Sequence, residues 1–446
     1  MKIVAIDIGT SKICGMVIDD NATPLKIIKY ANTSATSGKS INGSAEKEQN
    51  PDVILEICQK IYTELKKLYP DIKALGLTGQ MHGIVYVDKN GKAVSHLYTW
   101  QDRQGTLIKE NNLTYAEYLS KETGYRCVSG HGLTTHYYFA CNKQVPPTAC
   151  KICTIDAYVA MHLTGRNTPL MHKSDAESFD IFNIAKNSFD LDALKKVNIS
   201  TDILPDVAKG EEIVGEMEDR TIVIIPIGDN QASVIGAMCK EDTPLVNLGT
   251  GGQISAITSQ DVSLIKNVDV RPFINGKNLM VGASMCGGYA YTVLCRFFES
   301  TAKMLGINGT IDMFSIMGNE VKNHSKKDII KAETTFLGAY DDPDKRGSYY
   351  NVSDANFTPA NLIYATLHGM CNELFDIYNT KILPQVKVQP AKIVGAGNCV
   401  RSVPIVKNII EEMFSLPLQI NEQKEEAVYG AALLALSKIK PSSNIL

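Results

Sequence analysis

Residues Ile222-Val223-Ile224-Ile225 form an apolar run without alternation, the pattern of a strand buried on both faces. The run stops at Gly228. Asp229, Asn230 and Gln231 follow, and then the small apolar stretch 232–237, which predicts a helix packed closely on a neighbour. A lone carboxylate, Asp229, is thereby expected at the open end of a buried strand with a helix starting behind it. A side chain placed there is well situated to accept a proton.

The same strand–turn–strand pattern occurs twice elsewhere. Residues 2–6 and 13–18 read as strands around Asp7-Ile8-Gly9-Thr10-Ser11-Lys12, and 244–248 and 253–257 read as strands around Gly249-Thr250-Gly251-Gly252. Both turns carry Gly-Thr, at 9–10 and 249–250. One such unit per half predicts two domains of like topology, 1–241 and 242–446, facing a shared cleft. The glycines admit close backbone approach, and the hydroxyls, amides and Lys12 suit phosphate oxygens, with Asp7 free to hold Mg²⁺ through water. Taken singly, the first turn reads as well as an ordinary hairpin, since Asp, Gly, Thr and Ser are turn residues anyway.

Helical periodicity is clearest after Asn50-Pro51, where Asn50 suits an N-cap and Pro51 the first helical position. Ile54, Ile57, Ile61, Leu65 and Leu68 then mark one apolar face. A short strand, 74–78, runs into Gly79-Gln80-Met81-His82-Gly83. Asn90-Gly91 signals a hairpin between 84–87 and 94–98, which delivers Thr99-Trp100-Gln101-Asp102-Arg103-Gln104. An apolar ring beside a carboxylate, a guanidinium and amides suits a polyol pocket, and equally a core Trp beside a solvated ion pair. The loop 126–132 is open between a pocket wall and a surface turn. Helices are further expected at 156–163, stopped by Gly165, from Gly287-Gly288 to about 305, at 403–414, and at 425–438, where Gly430 and several alanines imply tight packing. Strand 392–394 leads into Gly395-Ala396-Gly397-Asn398, whose glycines let a flat nucleoside lie on the backbone. A dinucleotide fingerprint is disfavoured there: Val400 stands where its third glycine would be, and only 46 residues follow.

Composition narrows the classes. A chain of 446 residues favours two large domains, and a net charge of −3 gives no basic surface for nucleic acid. No stretch has the length and apolarity of a membrane span. The N-terminal apolar run is too short for a secretion signal and meets Asp7 at once, so a cytoplasmic protein is expected. Eleven cysteines, an odd and scattered set, fit reduced thiols, and Cys150-x-x-Cys153 lacks the second pair a zinc site needs.

Together these motifs resemble the FGGY carbohydrate kinases in four places and in the family's order: 7–12, 228–231, 248–252 and 395–398. The resemblance implies an α/β, two-lobed actin/hexokinase-like (ribonuclease H-like) ATPase fold with nucleotide and sugar in the inter-lobe cleft. It implies ATP and Mg²⁺ as cofactors, Asp229 as catalytic base and Asp7 as the acidic residue linked to the metal, with Asp229 also near it. Thr10, Ser11, Lys12, Thr250 and Gly251 would sit by phosphates with Gly288 near them, and Gly395, Gly397 and Asn398 by adenosine. Gln80, Met81, His82, Trp100, Asp102 and Asn230 would line the sugar site with Asp229. The Gln-Met-His-Gly stretch is similar to xylulose and sedoheptulose kinases, whereas glycerol kinases carry Arg-Glu there. Ser95-His96-Leu97 with Thr99-Trp100-Gln101-Asp102 is similar to sedoheptulose kinases in particular. Arg103 departs from relatives that have Gly at this place. The expected reaction is therefore phosphorylation of a ketose, sedoheptulose first and xylulose second. Relatives are often dimers, so a homodimer is the protein partner the resemblance implies, although no stretch signals an interface. The rival classes are an actin-like or chaperone-like ATPase, which needs no sugar motif, and a silent sugar sensor, which would more naturally have lost Asp7 or Asp229.

Overall fold

The computed structural model describes residues 1–36, 48–260, 262, 265–322, 324, 330–339, 342 and 344–441. Two compact units emerge. The first comprises Met1–Met238, Pro272–Gly276 and the stretch from Glu425 onward, and the second Cys239–Arg271 and Lys277–Lys424.

The first unit is built on a sheet of β1 (Lys2–Ile8), β2 (Lys12–Asp19), β3 (Pro24–Ala31), β4 (Ile72–Gly79), β5 (Ile213–Glu216), β6 (Ile222–Ile224) and β7 (Ile227–Gly228). Its order is β5-β6-β4-β1-β2-β3, with β7 also on β4. β1 and β2 pair antiparallel from Lys2↔Asp19 to Ile8↔Ile13, and β1 runs parallel to β4. Strands β1 and β4 are covered on both faces, which is why they read as continuous apolar runs rather than alternating ones. α1 (Pro51–Leu68) starts as its sequence predicts, with the Asn50 side chain accepting from the backbone N–H groups of Asp52 and Val53. Its buried stripe is Ile54, Cys58, Ile61 and Leu65; Leu68, expected on that face, lies in the last turn and is 57% exposed. α2 (Ile155–Leu163) and α3 (Asp229–Gly236) complete the elements that bear on the site.

The last helix (Glu426–Ile439) belongs to this unit, so a division at 241/242 does not describe how the chain is shared out. It lies against α3 at backbone distance. A Cβ on Gly430 would stand 1.8 Å from the Ala232 carbonyl oxygen, and one on Gly236 1.9 Å from that of Glu426. The small residues read in 232–237 and 425–438 are thus two sides of one contact.

The second unit repeats the plan. Its strands are β8 (Leu245–Leu248), β9 (Gly252–Thr258), β10 (Asp269–Pro272), β11 (Asn278–Ser284), β12 (Ile393–Ala396) and β13 (Leu418–Ile420), in the order β10-β11-β9-β8-β12-β13. β8 pairs antiparallel with β9 and parallel with β12, as β1 does with β2 and β4. α4 (Gly287–Met304), α5 (Met313–Glu320), α6 (Pro359–Ile377), α7 (Asn398–Ser402) and α8 (Pro404–Phe414) pack around this sheet. Among the described residues no helix is long and apolar enough to cross a membrane.

Candidate active site

In the first unit the strand ends converge on one polar patch. Asp7 lies one residue before the end of β1, Gln80-Met81-His82 follow β4, and Asp229 opens α3 directly after β7. A parallel sheet collects its functional groups at the carboxyl ends of its strands in this way. Asp7 is raised to about 7, first by burial, then by the charges of Asp229 and Glu425 acting against Lys12. Asp7 and Asp229 therefore lie within each other's field.

Two further carboxylates surround them. Asp156, at the start of α2, is fully buried and raised to about 6, chiefly by burial. Asp175 is raised well above the ordinary value by burial and by Asp156 and Asp229. Asp156 Oδ2 and Asp175 Oδ1 have no hydrogen-bond partner among the described residues. A hard dication placed in such a field would relieve the mutual repulsion, and carboxylate oxygens are the donors Mg²⁺ takes. No group of three or more His, Cys, Asp or Glu among the described residues is close enough to cage a metal. Mg²⁺ is commonly held by one or two carboxylates with water filling the rest of its shell, and the carboxylates here are donors of that kind.

The 9–12 turn is wired to the expected sugar wall. Thr10 Oγ1 donates to Gln80 Oε1 at 3.1 Å and accepts from Trp100 Nε1 at 3.1 Å. Gln49 Nε2 donates to the Thr10 carbonyl at 2.8 Å and Gln49 Oε1 accepts from Gln80 Nε2 at 2.8 Å. Gln80 is buried and both ends of its amide are engaged. Met81 is buried too: a Cβ on Gly228 would lie 2.5 Å from its sulfur, so it packs beneath the start of α3. Trp100 is 47% exposed and not core. Asp102 Oδ1 accepts from the Gln104 N–H and its carbonyl accepts from Ser129 Oγ. Lys12 is held by Glu425, at 2.8 Å.

His82 adopts φ +74, a left-handed conformation that costs a non-glycine residue of order 1 kcal/mol. It is fixed there by its N–H to Ser178 Oγ and its Nδ1 at 3.0 Å from the Ser178 carbonyl. Its ring stacks on His131, centroids 4.0 Å apart and planes 11° apart. His131 Nδ1 is 2.7 Å from Asp180 Oδ1, and Asp180 also accepts from the Val128 N–H and Thr134 Oγ1. The carbonyl and the carboxylate both accept, so each imidazole carries its proton on Nδ1. The undecided loop 126–132 is therefore in the patch: Gly130 passes so near that a Cβ would lie 2.1 Å from the Trp100 carbonyl oxygen.

The second unit holds a cavity of about 890 Å³. Thr250, Gly288 and Asn398, all expected at the nucleotide, line it, with Tyr291, Phe314 and Lys322 among the residues periodicity had not singled out. The N-terminus of α4 docks on the 249–251 turn through Gly288 N–H to the Gly249 carbonyl and Tyr289 N–H to that of Thr250. Gly395 lies inside β12, covered by Val400 and Leu418, and Gly397 takes φ +87 against the Leu248 carbonyl. These two glycines shape the backbone below Asn398 rather than line the cavity.

A family model described as the FGGY family of carbohydrate kinases, N-terminal domain, matches residues 2–249. The chain belongs to the FGGY family of carbohydrate kinases. As an FGGY kinase it is an ATP-dependent enzyme acting on a small-molecule sugar, which sets aside the actin-like and chaperone-like ATPases and the silent sensor. It is 24% identical to a sedoheptulokinase of Mus musculus over 98% of this chain and 97% of that one. It is 23% identical to a glycerol kinase of Lactococcus lactis, over 97% and 89%. In fold it is similar to the xylulose kinase of Rhodospirillum rubrum, with a TM-score of 0.83 at 16% identity over 100% of this chain and 92% of that one. The glycerol kinase of Plasmodium falciparum with ADP gives a TM-score of 0.82 at 18% identity, covering 100% and 90%. The expected α/β, actin/hexokinase-like fold is the fold of this FGGY kinase.

Proposed function

We propose that this enzyme transfers the γ-phosphoryl group of ATP to the terminal hydroxyl of a ketose, sedoheptulose before xylulose. The observation that carries the reading is the bonded chain Trp100–Thr10–Gln80, which makes the phosphate turn and the sugar wall one site beside the Asp7–Asp229 pair. Gln80-Met81-His82 suits either ketose; sedoheptulose is favoured over xylulose by Ser95-His96-Leu97 with Thr99-Trp100-Gln101-Asp102, and by full-length likeness to proteins named sedoheptulokinase.

In this reading Asp229 accepts a hydrogen bond from the terminal hydroxyl and takes its proton as the new O–P bond forms. The bond from γ-phosphorus to the β–γ bridging oxygen breaks, and ADP leaves. Thr10, Ser11 and Lys12 bind phosphate oxygens, as do Thr250 and Gly251 with Gly288 near them, and the nucleoside takes the cavity beside Asn398. His82, Trp100, Asp102 and Asn230 orient the sugar, with Met81 beneath; Gln80 acts through Thr10 as a positioning residue. Asp7 and Asp229 would hold Mg²⁺ through water, which neutralises charge on the transferring phosphoryl group. A homodimer and a cytoplasmic location complete the reading, the latter supported by eleven unbridged cysteines.

Asp229→Asn should lower kcat by roughly 100-fold or more while calorimetry still detects nucleotide binding; near-normal turnover would remove Asp229 from the base role. ADP release should be fastest with sedoheptulose in a panel that includes xylulose, ribulose and glycerol. Comparable kcat/KM on all four would sink the substrate assignment.

A further inference from the structure

Glu425, the residue before the last helix, is 9% exposed and carries two cations. Lys12 Nζ lies 2.8 Å from Oε2 and 3.0 Å from Oε1, and Lys29 Nζ lies 2.6 Å from Oε1. In the β2–β3 ladder Lys12 faces Ala31 and Cys14 faces Lys29, so the two lysines are diagonal neighbours on one face. Their ammonium groups repel unless an anion stands between them. Glu425 does so from the N-terminal end of a helix, where a carboxylate is already favoured. Burial pushes Glu425 up, but the hydrogen bonds from Lys12 and Lys29 outweigh it and hold the carboxyl below its ordinary range. Lys29 is raised in turn by that hydrogen bond. One cation would neutralise Glu425, yet two are present, each about half exposed.

Only one of them belongs to the phosphate turn. Lys12 ends the 7–12 segment, and its charge reaches Asp7, which it lowers while Glu425 raises it. Lys29 sits on the next strand and has no part in that turn.

We propose that Lys29 is a positioning residue for the nucleotide: it keeps the Glu425 carboxylate paired with a cation so that Lys12 can leave Glu425 for a phosphate oxygen. The inference rests on the assignment of Lys12 to the triphosphate made above. Without Lys29, moving Lys12 would strip a largely buried carboxylate of its last cation, and the penalty would fall on nucleotide affinity. The exchange makes and breaks no covalent bond; one ion pair is traded for another while Lys29 stays in place.

The test separates nucleotide from sugar parameters. Lys29→Met should raise KM for ATP and Kd for ADP by roughly 10-fold, leaving kcat at saturating ATP and the sugar KM within about twofold. Lys29→Arg should restore ATP affinity by supplying the counter-charge. Adding Glu425→Gln to Lys29→Met should also restore it, because a neutral amide no longer retains Lys12. If Lys12→Met weakens ATP binding but Lys29→Met does not, the role of Lys29 is overturned and Lys12 keeps its assignment. If Lys12→Met leaves ATP binding unchanged, the assignment of Lys12 falls and this inference with it. A Lys29→Met enzyme with kcat and both KM values degraded together, and no rescue by Arg, would mark Lys29 as merely structural.

Discussion

At the scale of single residues, the site is governed by what surrounds each acid rather than by the acid itself. Asp7 has an ordinary value of 3.8 and is raised to about 7 in the fold. A carboxyl raised on folding contributes stability that is complete below its unfolded value and lost as pH climbs through its folded value. For Asp7 the window runs from about 4 to about 7. Asp7→Asn should therefore make the ligand-free enzyme more stable than wild type at pH 8, by roughly 1 kcal/mol or more, with the gap closing towards pH 4. Urea titrations at the two pH values measure this. The same variant should have almost no activity, so stability and function move in opposite directions at one side chain. A variant no more stable at pH 8 would mean that Asp7 carries no electrostatic burden in the fold.

At the scale of elements, the chain announces its site where geometry demands an unusual residue. The Gly-Thr turns, the Asn50-Pro51 helix start and the Gly228–Asp229 junction were legible because backbone shape and side-chain type are tied locally. Asp156, Asp175 and the His131–Asp180 pair were not. Asp156 looks like any acid in a first helical turn, and its burial follows only from how α2 meets the sheet. His131 acquires its meaning from Asp180, far along the chain. The contact of α3 with the last helix lies between these cases: its small residues were readable and its partner was not. Gly430→Ala should place a Cβ 1.8 Å from a backbone oxygen that cannot rotate away. The expected loss is about 2–3 kcal/mol or more by urea denaturation, with a fall in kcat, since α3 begins at Asp229. Gly318→Ala on α5, whose Cβ would meet nothing within 4 Å, should be neutral or slightly stabilising. Equal losses in the two variants would refute the packing account of Gly430.

At the scale of the whole molecule, the repeat of one sheet plan explains why two similar turns exist, but the division of the chain is not a cut in the middle. The last helix returns to the first unit and buries Val428, Leu433, Leu434 and Leu436 there. Fully burying such side chains contributes about 1.5–3 kcal/mol each, so these four alone supply roughly 6–12 kcal/mol. A folded domain has only about 5–15 kcal/mol of net stability. A chain ended after Lys424 should therefore lose the cooperative unfolding of its first unit and with it all kinase activity, even though every residue assigned to sugar, phosphate and base is still present. Calorimetric melting of the truncated chain beside the intact one provides the measurement. Retention of the first unit's cooperative transition and of activity would show that strands β1 and β4 can close their core without the helix.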